Sequence, residues 1–520
     1  MDEVNPNKAI GKSTDAPKAK APFKADIYDF SFAVFVFALG YLFSRWVLIR
    51  WQGWGVAAFT VLYLGSLSIY LAKKGIKQNT AALFWLAITL LTGLSYALWD
   101  EIELSIYRAL FLFCSAVYWI LCASGTLLSG RTGNRLPLDG INAVILIPLR
   151  NLASQYKSFG YFGGLNKVKL RKLLSVLLGL VLAVIVLSVL LPLLLKADSG
   201  GFTKIIDLLA KYLSIRNQVV ITFIIYAIPA IPASAYIFGL AYGSAVKRGH
   251  DTLKTENLDK ASSSIRIFAP ATVYIVLCTV GLLYVTFILS QLPYFFSAFI
   301  GERPEGWLIY SEYARQGFFE LCRIAGLNLA LLAIADMMCR KKRHDNKTLK
   351  ILNIVLAILT LLIIATAFSK MVLYINVYGL TMRRLLPCVF MIFMAVACMA
   401  LIALQRWDFS VVRVTLVSAS VIFCAFCLSN PDGMVVRYNT GRYLEGTLAE
   451  YDTEILYRSG SAGVLPALEV FENTSDSSVK AEVGHFLQDQ KLIISERDEA
   501  FTYSIQSGRA EKILAAYKFG

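Results

Sequence analysis

The chain has 520 residues, 57% of them hydrophobic and only 17% charged, where an ordinary soluble domain carries about 25% charged residues. That composition excludes a soluble enzyme, a disordered chain and a small disulfide scaffold. The net charge of +16 is uneven, because residues 431–520 hold nine Lys or Arg against fourteen Asp or Glu, and the positive excess falls between the apolar runs of the first 430 residues.

Residues 1–28 form a polar, Lys-rich N-terminal tail that contains Asp2 and Glu3 and no apolar run, so a cleavable signal peptide is not indicated. A helix crossing the hydrocarbon needs about 20 mostly apolar residues. Eleven stretches qualify: 29–49, 53–72, 80–99, 106–128, 173–195, 218–243, 267–291, 317–338, 351–373, 385–404 and 410–429. Together they predict an all-α fold, a polytopic transmembrane helix bundle over 29–429. Segment 141–149 is apolar but too short to span. It precedes Arg150, Lys157, Lys167, Lys169, Arg171 and Lys172. Two readings stand for the basic segment 130–172: an inner-face interfacial or re-entrant element on anionic lipid, and an ordinary cytoplasmic loop helix.

Lys and Arg set the orientation. With the N-terminus inside, the inner segments hold 29 of these cations, and the short outer loops, together with Arg45 and Arg108 at the adjoining span ends, hold 11. Eleven crossings then place residues 430–520 outside, with the bundle in the inner or plasma membrane of the cell; one span more or fewer would move only that tail. The basic residues are accounted for by topogenesis, which removes the case for nucleic acid. The nine cysteines lie almost entirely within apolar runs, so Cys424 and Cys427 read as small apolar residues rather than a redox pair. With only three histidines, no metal site or other cofactor is expected.

The tail reads as a small α-helical module. One helix is expected over Arg437 to Tyr457, a break at Ser459 to Gly463, a second helix from Pro466 through Phe471, a break at Asn473 to Ser478, and two short helices near 479–490 and 509–517.

Ionisable groups at membrane depth mark functional sites by default. In the eighth span, Glu312, Arg315, Glu320 and Arg323 fall within an arc of about 140° at about 100° per residue, and this polar face is expected to look into the bundle. Glu312 with Arg315, and Glu320 with Arg323, are spaced to neutralise one another. Between the ninth and tenth spans stand Lys370, Tyr374, Arg383 and Arg384. Gly379 there suits a turn with positive φ, and Thr381 suits a helix cap. Cations on the outer side run against the topology rule, so these residues are expected to pair with Glu312 or Glu320, hold an anionic headgroup, or snorkel. In the sixth span, Pro229 and Pro232 open backbone hydrogen bonding, as in the broken helices of transporters, while Gly239 and Gly243 form a packing motif. Trp99 to Glu103 gathers carboxylates at a span mouth.

Three segments carry a resemblance. Glu312 to Leu321 is similar to an EYARxGFFEL segment. Leu373 to Arg384 is similar to LYxxxYGLTxxR, and Asn430 to Asn439 to NPDxxxxRYN. In these the chain resembles a bacterial polytopic membrane family of unknown function, the domain of unknown function 4153/4173 group, over about 300–475. Arg323 departs from that pattern. The resemblance implies a bacterial membrane location and no established activity. The ionisable groups favour non-enzymatic transport or sensing of a small or lipid-like anion through an outer-half Glu/Arg/Lys cluster. A membrane-embedded transferase using outer carboxylates stands beside it, as does a scaffold or signalling partner that binds proteins through its tail. Besides the bilayer, an anionic lipid or small anion is the expected ligand.

Overall fold

Apolar runs of this length satisfy their backbone polar groups inside single helices, and the computed structural model has that form. It describes residues 25–133, 135–162, 218–247, 267–300, 310–339, 346–497 and 500–517, with isolated positions between 163 and 217. Among the described residues there is no strand, only one isolated bridge between Phe268 and Cys339.

The first half comprises α1 (Ile27–Leu42), α2 (Trp54–Lys73), α3 (Thr80–Leu98), α4 (Ser105–Ser124), α5 (Leu136–Ile141), α6 (Ile147–Ser158) and α7 (Gln218–Ala245). The second half of the bundle comprises α8 (Pro270–Ile300), α9 (Tyr310–Met338), α10 (Lys347–Tyr378), α11 (Met382–Leu404) and α12 (Val411–Leu428). The tail follows as α13 (Pro431–Leu444), α14 (Glu454–Ser459), α15 (Val464–Asn473), α16 (Ser477–Ser495) and α17 (Ile505–Ala516).

Among the described residues, eleven helical stretches are long and apolar enough to cross a membrane, so the chain is an all-α, multi-pass membrane protein. All but one coincide with an expected span. The exception is Leu136–Ser158, where α5 and α6 join through a π-helical turn, Asn142–Leu146, into a helix far longer than the nine apolar residues read from sequence. Gln155 ties it to two other helices: it donates to the Ala33 carbonyl and accepts from Ser234. The stretch begins beside the end of α4, where Asp139 accepts from the Leu128 amide. It ends with Phe159 against Phe30 and Phe37 in the first half of α1. The expected span at 173–195 lies outside the described residues, as do Lys167, Lys169, Arg171 and Lys172.

Small residues set the closest approach in the first half. A Cβ on Gly239 would sit 2.7 Å from the Pro148 carbonyl oxygen, and one on Gly243 would sit 2.4 Å from Asn151 Nδ2. The two glycines thus form the groove in α7 that receives α6. Pro229 and Pro232 lie inside α7, which runs through both as one helix; the break suggested by the sequence is not there. In the second half, Asn328 of α9 accepts from the Tyr284 hydroxyl of α8 and donates to Thr360 of α10. Such hydrogen bonds between helices fix rotation where lipid supplies no hydrophobic contrast.

The two ends of the bundle differ. At one, Lys74 holds Asp26 and Asp29 at 2.8 and 2.6 Å, and Tyr70 donates to Asp29. At the other sits the tail, with its own core built on residues such as Leu456, Val470, Phe486 and Leu487. The helix expected over 437–457 is divided: α13 ends at Leu444, and Gly446, at φ +71°, turns the chain towards α14. The breaks at 459–463 and near 474–476 and the helix from Val464 follow the sequence pattern.

Candidate functional site

The tail is fastened to three separate loops of the bundle. Trp54 at the start of α2 donates its amide to the Tyr503 carbonyl. In the α3–α4 loop, the Asp100 amide donates to Gln506, and Arg497 pairs with Asp100 at 2.7 Å. In the α10–α11 loop, Asn439 of α13 accepts from the Leu380 amide and donates to the Leu380 carbonyl, both at 2.7 Å. That double bond explains the loop glycine. Gly379 has φ +77°, and a Cβ there would meet Asn439 Oδ1 at 2.6 Å. Thr381 stands at the N-cap of α11 without a side-chain cap bond, contrary to expectation; Arg384 reaches back instead to the Tyr378 and Gly379 carbonyls.

Beside these fastenings lies a pair of carboxyl groups. Asn430 adopts φ +57° and caps α13 through the Gly433 amide, and Pro431 occupies its first turn. This start turns Asp432 inward, where it is 2% exposed, against Glu101 at 4%. The Asp432 amide donates to Glu101 Oε2 at 3.1 Å, and the Ile102 amide donates to Asp432 Oδ2 at 2.8 Å. The two carboxyl groups adjoin, so that the Asp432 charge bears on Glu101, and Glu101 Oε1 is buried without a hydrogen-bond partner. Burial, and next the charge of Asp432, push Glu101 well above the usual carboxylate range. Burial likewise raises Asp432, to about 6. Arg108 lies above the pair on α4, 1% exposed, with its guanidinium 3.8 Å over the Tyr96 ring and one bond to the Trp99 carbonyl.

Asp432 also lines a cavity of about 320 Å³ between the bundle and the tail. The bundle contributes Glu103, Phe319, Tyr374, Arg383 and Arg384, and the tail contributes Asp452, Glu454 and Arg458. Most of its cations are already engaged. Arg458 bridges Glu103 at 3.4 Å and Glu454 at 2.7 Å. Arg384 stacks 4.2 Å over Tyr374 while holding the two carbonyls. Arg383 is exposed on the wall and has no hydrogen-bond or ion-pair partner among the described residues. A second cavity of about 310 Å³ lies within the first half of the bundle, among Phe43, Phe59, Tyr96, Phe113 and Tyr236. Its wall is almost wholly apolar.

The residues singled out from sequence divide into two sets. Tyr374, Arg383 and Arg384 meet in the polar cavity. Lys370 is buried one turn below Tyr374, and the Glu320 charge bears on it. Glu320 and Arg323 themselves stand on the exposed side of α9. The buried stripe of that helix runs instead through Phe318, Leu321, Ala325, Asn328 and Leu332, because those residues meet α8, α10 and α11. The side chains of Glu312 and Arg315 lie outside the described residues. Sequence reading missed Arg108, although a lone arginine near the start of an apolar run was a visible signal. It also treated Glu101 and Asp432 as unrelated.

The sequence profile of a family described as "Domain of unknown function (DUF4153)" matches residues 86–470. The chain belongs to this family. The DUF4153 match begins within α3 and ends within α15, so it takes in the Glu101–Asp432 pair, the polar cavity and the Asn439 fastening. Two DUF4153 segments noted from sequence, Tyr378 to Arg384 and Asn430 to Asn439, are the ones that interlock through Leu380 and Asn439. No curated protein and no solved structure matches the chain.

Proposed function

We propose that this protein binds, without chemical conversion, an oxyanion group at the tail end of the bundle, and so senses or carries a small or lipid-like anion. One observation carries the reading: Arg383, with no partner among the described residues, lines a cavity of about 320 Å³, of the size ligand sites begin at. A guanidinium suits phosphate and carboxylate because its planar donors match two oxygens. The engaged cations Arg384 and Arg458 form a preorganised rim. The orientation belongs to the same proposal. The N-terminal end of α1 and the tail lie at opposite ends of the bundle, and the positive-inside bias supports a tail outside the cell membrane.

The test is calorimetry on the purified full chain in dodecyl maltoside, with inorganic phosphate and dihexanoyl phosphatidylglycerol as separate probes. Binding of the lipid alone assigns a headgroup site; binding of both assigns a site for free oxyanions. Arg383→Ala should weaken either by roughly tenfold or more, the scale of a lost charge-assisted bond. Absence of binding by both probes overturns the proposal. A transferase using carboxylates at this end is a second reading, favoured by the buried carboxyl pair beside the cavity, both members of which burial raises. Release of a cleaved headgroup from the lipid probe would establish it over simple binding.

A further inference from the structure

Asp432 belongs both to the cavity wall and to the pair it forms with Glu101. An anion held by Arg383 would therefore share its cavity with a carboxyl group whose charge depends on one proton. Neutralisation from other quarters is limited. From α4, Arg108 stacks on Tyr96 and bonds the Trp99 carbonyl. From the α3–α4 loop comes Glu103, and from α14 come Glu454 and Arg458; these three pair with one another. Asp452 adds a carboxylate from the tail, and α11 supplies Arg383 and Arg384. No described cation lies within ion-pair distance of Glu101 or Asp432. Asp432 Oδ2 and Glu101 Oε2 are instead met by the amides of Ile102 and Asp432. The Arg108 charge bears on Glu101 without contacting it, so direct neutralisation of the pair falls to a proton.

We infer that the cavity takes up its anion together with a proton, carried on the Glu101–Asp432 pair. This rests on the anion-binding reading above and adds its regulation. With the pair protonated, the Asp432 side of the cavity carries no charge. When the proton leaves Asp432, a carboxylate faces the incoming anion and repels it. Linkage is reciprocal, so anion binding also raises the proton affinity of the pair. Burial already raises both carboxyl groups, Asp432 to about 6, which puts the transition above the ordinary carboxylate value near 4. The two groups titrate as one coupled unit, and the first step is the one that exposes charge to the cavity.

The experiment titrates the full chain in dodecyl maltoside with dihexanoyl phosphatidylglycerol and with inorganic phosphate, at pH 5.5 and at pH 7.5. We expect the affinity to fall roughly tenfold between the two values, with net proton uptake seen as a dependence of the measured heat on buffer ionisation enthalpy. In Asp432→Asn the ratio between the two pH values should collapse to about one, since the amide keeps an acceptor for Ile102 but has no proton to lose. Glu101→Gln serves as the second variant should the first fail to fold; it keeps Asp432 ionisable, so the pH dependence should persist with its midpoint displaced, and an unmoved midpoint would exclude Glu101 from the pair. Infrared absorption of a protonated carboxyl group that is present at pH 5.5 and declines by pH 7.5, a change lost in Asp432→Asn, reads the proton without any anion. Equal affinity at both pH values in the wild-type chain, with binding intact, overturns this inference and leaves the anion site standing. Absence of binding at both overturns the two together.

Discussion

Asp432 gives its backbone N–H to Glu101 across 331 residues of chain, while Ile102 gives its own to Asp432. The exchange resembles one rung of an antiparallel ladder, with a carboxyl group in place of each carbonyl. It fixes the register of the tail against the α3–α4 loop more strictly than apolar contact would, because each group left unmatched would be a buried polar atom.

The first prediction follows from that exchange. Glu101→Ala orphans the Asp432 amide and should cost about 1–3 kcal/mol, whereas Glu101→Gln keeps an acceptor and should cost less. Both acids hold protons more tightly folded than unfolded. Their stabilising contribution is therefore complete below the ordinary carboxylate value near 4 and is lost as pH rises through the raised values, about 6 for Asp432. Thermal unfolding in detergent from pH 5 to pH 8 should show a decline that Asp432→Asn flattens. A decline of equal slope in the variant would refute the assignment.

Asn439 serves both backbone groups of Leu380, so its two ends are not interchangeable. Asn439→Asp removes the donor and places a carboxylate beside the Leu380 carbonyl. It should destabilise tail docking by about 2–4 kcal/mol, at least as much as Asn439→Ala. Limited proteolysis of the α10–α11 loop in the intact protein reads the effect. Unchanged cleavage would show that the bonds do not hold the loop.

The groove on α7 makes a graded prediction. A Cβ on Gly239 meets backbone, at the Pro148 carbonyl oxygen, while one on Gly243 meets the side chains of Asn151 and Ile147. Backbone cannot step aside as side chains do. Gly239→Ala should therefore cost about 1–3 kcal/mol, and more than Gly243→Ala, although both gain the same helix propensity. Comparing the two melting temperatures checks the order.

Ion pairs at the tail should differ by burial. Arg497 and Asp100 are 16% and 8% exposed in their side chains, and Ser461 also donates to Asp100. Glu454, which pairs with Arg458, is 66% exposed. Asp100→Ala should cost about 3–5 kcal/mol by leaving a guanidinium half-buried and unpaired, and Glu454→Ala at most about 0.5 kcal/mol. A double-mutant cycle on each pair separates the interaction from other losses.

The helices were legible because spanning a membrane demands long apolar runs, and no other local pattern competes with them. The cluster at the cavity was legible in part. Tyr374, Arg383 and Arg384 stood out because cations there oppose the topology rule. Glu320 and Arg323 misled, because their spacing defines a face without saying which side of α9 its neighbours occupy. Only packing decides that, and Asn328 with Tyr284 and Thr360 turned the helix the other way. The Glu101–Asp432 pair could not be read locally at all, since each partner looks like an ordinary loop acid until the tail folds back. Leu136–Ser158 was misjudged for a related reason. Its polar residues Asn151, Ser154 and Gln155 look solvated in sequence and are buried against other helices.

The amide of Trp54 is completed by the carbonyl of Tyr503, and that of Asp100 by Gln506. During synthesis these early groups emerge long before their partners. At ordinary elongation rates, roughly 20 to 90 s separate Trp54 from Tyr503. For that interval the first loops of the bundle stand at the membrane surface with polar groups unmatched. A chain interrupted before residue 500 keeps them so indefinitely. The fold therefore closes its earliest loops last: the bonds to Trp54 and Asp100 form only once Tyr503 and Gln506 have been made.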